Sequence, residues 1–200
     1  MLDLAVRAFD EVCTFTFVLM RGLDCSRPVL EYPARRYGLA PSVELLHPAV
    51  GEYLREGWYS DTSERTDAIP TYSMIQAYDH ARLSLGADVV CDGNKDADGV
   101  WRRRLLLKPV YNQSWYLPLV RRWSTYDVLG YLAAHKLTSP MPADVAGRTQ
   151  AFNVGLSPAA LLWLWDTYPS DFASVEALFP HVRAVVKRRD FFGEIDARFG

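Results

Sequence analysis

Hydrophobic and polar residues along the first half of the chain alternate between helical spacing and short apolar runs. Apolar residues from Leu2 to Val12 recur every three or four positions, which predicts an amphipathic helix. The run CTFTFVLM (13–20) is rich in β-branched and aromatic residues and predicts a buried strand. The same two patterns predict a helix over 28–37 ending at Gly38, strands over 42–48 and 87–92, a helix over 74–85 ending at Gly86, and a fourth strand within 110–120.

The second half of the chain is predicted to be mainly helical. Ser124 and Asp127 form an S-x-x-D capping box, which predicts a helix over 124–136. Ser157 followed by Pro158 is typical of a helix start, and two short helices are expected around 170–178 and 180–190. Polar stretches interrupt the pattern, and they predict an excursion or lid over 51–70 and a loop over 137–155.

This order of elements predicts an α/β fold, with a mostly parallel sheet flanked by helices and a helical C-terminal part. We expect one domain, in which residues 1–136 form the α/β part and residues 137–200 form a loop and a helical extension. Ligands of such sheets bind where the turns after the strands converge. The turn after the strand at 87–92 is one of these places.

Composition narrows the class of protein. The chain has 22 Lys and Arg against 24 Asp and Glu, a formal charge of −2, and this balance gives no reason to expect nucleic acid or an anionic membrane as partner. Its three cysteines are widely spaced and form no C-x-x-C, which argues against a disulfide framework or a zinc cluster. With no long apolar run, we expect a cytoplasmic protein without signal peptide or membrane span.

The segment VVCDGNKDADGVWRRRLLL (89–107) allows three interpretations. Asn94, Asp96, Asp98 and Gly99 match the first half of a calcium loop, but Leu105 stands where that loop needs glutamate, and three arginines crowd the site. Alternatively, a glycine turn at Gly93 and a run of guanidinium groups favour a phosphate or sulfate. A third interpretation is a surface turn whose charges pair with each other, and the residue types alone favour it.

The sequence order favours the anion interpretation, because it resembles a known family. A strand is followed by a G-x-K-x-x-D motif and two arginines, formed by Gly93, Lys95, Asp98, Arg102 and Arg103, and then by PLVRRWSTYDVLGYLAAH (118–135). This arrangement resembles the phosphoadenosine-phosphosulfate (PAPS) reductase family of the adenine nucleotide α-hydrolase (PP-loop) superfamily, over residues 1 to about 140. The ending after Leu161 resembles reductase-like proteins of bacteriophages.

The resemblance implies an adenine nucleotide or sulfonucleotide ligand, such as ATP, PAPS or adenosine phosphosulfate. Lys95, Arg102 and Arg103 would face its phosphate or sulfate, and Asp98 would orient an arginine or a water. Trp123 and Asp127 are supporting candidates, although helix-entry packing explains the first and the capping box explains the second. The implied chemistry belongs to sulfur metabolism, as reductase, sulfur-transfer or ATP-pyrophosphatase activity. The alternative is a catalytically inactive binding or scaffold module.

The chain also departs from the family pattern. It lacks the family's S-G-G-x-D-S phosphate loop, and Gly99 stands where the family has serine. We therefore expect the family's first strand, which would lie between the strands at 13–20 and 87–92, to be missing, encoded upstream, or supplied by a second chain. No cysteine follows Cys91, so the family's C-terminal nucleophile has no counterpart. Catalytic residues are unknown, and no metal site is expected.

Overall fold

The computed structural model describes residues 1–59, 71–138 and 156–199, with side chains to residue 192. Its helices are α1 (Leu2–Ala8), α2 (Arg27–Leu30), α3 (Tyr32–Tyr37), α4 (Pro48–Arg55), α5 (Met74–Ser84), α6 (Val100–Leu106), α7 (Thr125–Ala134), α8 (Pro158–Thr167), α9 (Pro169–Leu178) and α10 (Arg183–Phe199). The strands are β1 (Phe15–Val18), β2 (Val43–Leu46), β3 (Val90–Asp92) and β4 (Tyr116–Pro118). Single 3₁₀ turns lie at Asp24–Ser26, Asp96–Asp98, Pro109–Tyr111 and Pro180–Val182.

The four strands form two small parallel sheets. β1 pairs with β2, and β3 pairs with β4. In the second sheet Val90 lies opposite Tyr116, and Asp92 lies opposite Pro118. The predicted α/β class and helical C-terminal part are confirmed, but the described strands form two pairs rather than one sheet.

The chain divides into two compact units, each assembled from separate segments. The first unit comprises Met1–Phe15, Glu31–Ser42 and Ser73–Pro140, and it contains β3, β4 and helices α5 to α7. The second unit comprises Thr16–Leu30, Val43–Tyr72 and Met141–Gly200, and it contains β2 and helices α8 to α10. No described helix is both long enough and apolar enough to cross a membrane.

The second unit has the larger apolar core. Leu161, Phe172 and Phe179 are fully buried in it, and burial of each such side chain contributes about 1.5–3 kcal/mol. The buried carboxylate of Asp171 accepts hydrogen bonds from the backbone N–H groups of Asp24 and Cys25, at 3.1 and 2.8 Å. These bonds fix the start of a 3₁₀ turn to α9.

The core of the first unit is small and aromatic. Ile75, Leu106 and Tyr116 are buried in it, and the ring of Tyr78 stacks on that of Tyr116 at 5.6 Å between centroids. α5 begins with a capping box between Ser73 and Gln76. This core supports β3 and β4 from one side and therefore sets the positions of the turns that follow them.

Elements with strong local signals lie where the sequence predicts them. The capping box of Ser124 and Asp127 begins α7, and Ser157 caps α8 by accepting a hydrogen bond from the N–H of Ala160. Gly38 ends α3 in the left-handed conformation, at φ 69°. In each case a short-range hydrogen bond or a glycine determines the boundary.

Three predicted elements differ from the structure or lie partly outside the residues that it describes. The excursion predicted over 51–70 begins as a helix, because α4 extends to Arg55; residues 60–70 lie outside the described part, as does 139–155 of the predicted loop. The last helix, Arg183–Phe199, is longer than expected. α6, which carries the candidate ligands Arg102 and Arg103, is a helix that the apolar pattern does not predict.

Candidate anion-binding site

A buried carboxylate closes the carboxyl end of β3. Asp92 is 8% exposed, and its Oδ2 accepts a hydrogen bond from the hydroxyl of Tyr116 on β4 at 2.7 Å. The backbone N–H of Asn94 donates to Oδ1 at 3.1 Å, and the side-chain amide of Asn94 donates to Oδ2. The carboxylate thus binds the end of one strand to the other strand and to the following turn.

The tyrosines around Asp92 keep their protons. Burial and the neighbouring Asp92 raise the pKa of Tyr116 and Tyr78 far above the usual range of a phenol. Both are therefore neutral donors at every physiological pH. The hydrophobic pattern does not predict this network. The sequence signal for it is the position of Asp92, between a buried strand and Gly93.

The predicted ligand Lys95 is occupied by an internal ion pair. Its Nζ lies 2.6 Å from Oδ1 of Asp98, whose Oδ2 accepts from the Lys95 N–H at 3.0 Å. Burial opposes ionisation of Asp98, but the hydrogen bonds from Lys95, together with the charge of Arg102, lower its pKa. The interpretation of this segment as a turn with paired charges therefore fits Lys95 and Asp98.

The other acid of the calcium-loop motif, Asp96, also contacts a cation. Asp96 accepts a 3.4 Å bond from Nε of Arg121, and its N–H donates to the Arg121 carbonyl at 2.8 Å. The two bonds fasten the turn after β3 to the turn after β4. Among the described residues no group of three or more His, Cys, Asp or Glu is arranged to hold a metal ion.

An open depression of about 380 Å³ lies beside these two turns. It is lined by Asp96, Ala97, Arg103, Arg122, Trp123 and Ser124. Arg103 comes from α6 and Arg122 from the turn after β4, so two separate elements each contribute an arginine to the lining. Neither guanidinium makes a hydrogen bond or ion pair with another residue in the described ranges. Their donors therefore face solvent or a ligand.

The remaining predicted residues contribute less directly. Arg102 is half-buried beside Asp98 and Tyr111 and does not line the depression. Gly93 lies in the turn after β3, and a Cβ built there would meet no atom within 4 Å. Glycine is needed more clearly at position 99, which immediately precedes α6. Its φ of 140° is rarely adopted by residues with a side chain.

Trp123 and Asp127 differ in their placement. Trp123 is half-buried, lines the depression and packs on Tyr131 with 5.3 Å between ring centroids. Asp127 is exposed, and its carboxylate accepts bonds of 2.7 Å from both the N–H and the hydroxyl of Ser124. The Ser124 N–H bond is the main cause of a lowered pKa at Asp127. Asp127 is therefore a helix cap, and Trp123 is part of the site.

Two of the three cysteines are poorly suited to thiolate chemistry. Burial, and then the nearby Asp171, raises the pKa of Cys25 to about 12. Burial and Asp92 likewise raise the pKa of Cys91. Both are thiols at neutral pH, because the thiolate would be desolvated beside a carboxylate.

Known proteins provide no further guidance to the site. No protein-family model, no curated protein and no solved structure matches this chain. The residues of the depression and their geometry therefore carry the functional argument.

Proposed function

We propose that the chain is a PAPS-reductase-like protein that binds an adenine nucleotide or sulfonucleotide in the depression. The observation that supports this most strongly is the pair of unpartnered guanidinium groups of Arg103 and Arg122 on one open surface. The phosphate or sulfate of the ligand lies between them. A guanidinium presents a planar fork of donors that matches such oxygens.

The surroundings of the two arginines favour an anion. Asp96 is the acidic residue among those that line the depression, and Arg121 already binds it. The depression lies at the carboxyl ends of the parallel strands β3 and β4, where ligands of parallel sheets bind. The Trp123 indole supplies an aromatic surface for a base beside the phosphate position.

Two of the three cysteines, Cys25 and Cys91, favour binding without thiol redox chemistry. Sulfonucleotide reduction needs a thiolate nucleophile, whereas the pKa values of Cys25 and Cys91 are raised. We therefore propose a catalytically inactive binding module of the same fold class as the second candidate. The two candidates share the nucleotide site and differ only in turnover.

Titration calorimetry with ATP, adenosine phosphosulfate and Ca²⁺ tests the binding proposal. We expect heat with at least one nucleotide, and about tenfold weaker binding in Arg103→Ala, because a charge-assisted hydrogen bond contributes roughly 1.5–3 kcal/mol. Arg104→Ala is the matched control, since Arg104 lies next to Arg103 on α6 but does not line the depression.

Two results decide against the proposal. One is the absence of heat with either nucleotide up to millimolar concentration. The other is heat with Ca²⁺ alone, which would restore the calcium interpretation of residues 94–99. A fall in melting temperature in Arg103→Ala, without loss of binding, would assign this arginine a structural role instead.

A further inference from the structure

The outer face of α6 continues the cationic surface beyond the depression. The exposed residues of α6, together with the exposed Leu107 and Lys108 just after it, lie within one arc of about 160° at the helical spacing. These residues are Val100, Trp101, Arg103, Arg104, Leu107 and Lys108. Half-buried Leu105 and buried Leu106 lie on the opposite side. Arg103 is at one edge of the arc and also lines the depression. We call the surface formed by Trp101, Arg103, Arg104, Lys108 and Arg122 the α6 strip.

The local charge around the α6 strip is opposite to that of the whole chain. Residues 95–126 contain seven of the 22 Lys and Arg but only two of the 24 Asp and Glu, so they carry +5 and the remaining residues carry −7, giving the total of −2. A near-neutral chain thus concentrates its positive charge in one segment of the first unit. Such a local field attracts a polyanion even when the net charge does not.

The four cations of the α6 strip are also unpaired. In the described part of the chain, Arg103, Arg104, Lys108 and Arg122 make no ion pair. Five arginines outside residues 95–126 do pair with carboxylates, namely Arg7, Arg27, Arg82, Arg183 and Arg189. The strip is therefore a concentration of free positive charge rather than a network of surface salt bridges.

An exposed indole lies among these cations. Trp101 is 72% exposed, and Nζ of Lys108 lies 5.9 Å from its ring centroid. Its neighbours on the α6 strip are basic. An aromatic face beside arginines and lysines is the arrangement on which unpaired bases stack.

We infer that the α6 strip binds single-stranded nucleic acid. One phosphate occupies the position between Arg103 and Arg122, Arg104 and Lys108 bind neighbouring phosphates, and a base stacks on Trp101. The inference rests on the proposed function for the phosphate position only. The arc spans about 15 Å around the helix, enough for a few nucleotides, and the exposed Trp101 indole among its cations favours stacked bases over an acidic peptide.

Fluorescence anisotropy with a labelled dT₁₂ strand tests the inference, with ATP titrated in parallel. We expect dT₁₂ to bind at least tenfold more tightly than ATP, with an affinity that falls with salt at a logarithmic slope of about −3 for four phosphate contacts. Arg104→Gln/Lys108→Gln should weaken dT₁₂ binding about tenfold, and should reduce the slope by about 1.4 because two of four contacts are lost, while ATP binding changes less than twofold. Trp101→Ala should weaken dT₁₂ binding by a similar factor, and Trp101→Phe should restore most of it.

Arg21→Gln/Lys187→Gln is the matched control, because it removes two exposed cations from the second unit. Equal losses in the control and the strip variant would overturn the inference, as would dT₁₂ binding no tighter than ATP. A twelve-residue poly-glutamate that displaces dT₁₂ at lower concentration than unlabelled dT₁₂ would also overturn it, in favour of an acidic protein partner. If the unaltered chain binds dT₁₂ but neither ATP nor adenosine phosphosulfate, the proposed nucleotide function is refuted and the inference stands.

Discussion

At the scale of single residues, the Asp92 network determines the geometry at the ends of β3 and β4. Asp92 is buried, and its carboxylate binds the hydroxyl of Tyr116 and both nitrogens of Asn94. A buried carboxylate is costly unless its oxygens are satisfied. Each donor therefore stabilises the fold by more than an exposed hydrogen bond would.

Tyr116→Phe should lower the free energy of unfolding by about 1–3 kcal/mol, because it removes one of the two donors to Oδ2 of the buried, charged Asp92. Urea denaturation measures the change. Tyr111→Phe is the control: Tyr111 touches Tyr116 edge-on at 5.7 Å between centroids, and no hydrogen bond of its hydroxyl is observed in the described chain. Equal losses in the two variants would show that the Tyr116 hydroxyl does not support Asp92.

Single residues also explain which predicted ligands are available. Lys95 and Asp98 are three positions apart on one turn, and they pair with each other. This local contact gives Lys95 a partner without any ligand, and it agrees with the interpretation of the segment as a turn whose charges pair with each other. Arg122 was overlooked because it belongs to the second motif, and only the fold places it beside Arg103.

At the scale of elements, α7 illustrates a helix that its own first turn defines. Ser124 and Asp127 exchange hydrogen bonds at the cap, so the boundary follows from four consecutive residues. Among the residues that line the depression, the Asp127 side chain hydrogen-bonds to Ser124, and Asp127 is not itself a lining residue. Its role is therefore distinguishable from ligand binding.

Asp127→Ala should cost about 1 kcal/mol of stability in a urea titration, because the N–H of Ser124 loses its acceptor. ATP affinity should change less than twofold in calorimetry. Thr125→Ala, at the neighbouring exposed position, should change neither quantity. An Asp127→Ala protein of unchanged stability that no longer bound ATP would identify Asp127 as a ligand and refute its assignment as a cap.

The success of sequence prediction at this scale depended on the range of the interactions. α7 and α8 carry caps that are visible in the sequence, and the structure contains them. α6 has seven residues, three consecutive arginines and no capping side chain, so its sequence contains no local pattern that predicts a helix. Its buried residue, Leu106, packs in the core of the first unit. The pairing of strands into two sheets depends on long-range hydrogen bonds, which apolar runs do not reveal.

At the scale of the whole molecule, the first unit carries the candidate site and the second carries the larger core. The depression and the α6 strip lie within the segment Ser73–Pro140 of the first unit. The second unit contains the fully buried Phe172 and Phe179. The described residues of the two units therefore differ in chemistry. The first unit carries the unpaired positive charge of the α6 strip, and the second carries the larger apolar core.

The proposed role of Arg103 and Arg122 as phosphate ligands is tested most directly by comparing ATP with adenosine. In calorimetry the unaltered chain should bind ATP at least tenfold more tightly than adenosine, because only ATP offers phosphates to the two guanidinium groups. Arg103→Ala/Arg122→Ala should bind both compounds with the same affinity, at an unchanged melting temperature. The account is contradicted if the double variant retains the preference for ATP, or if the unaltered chain has no such preference.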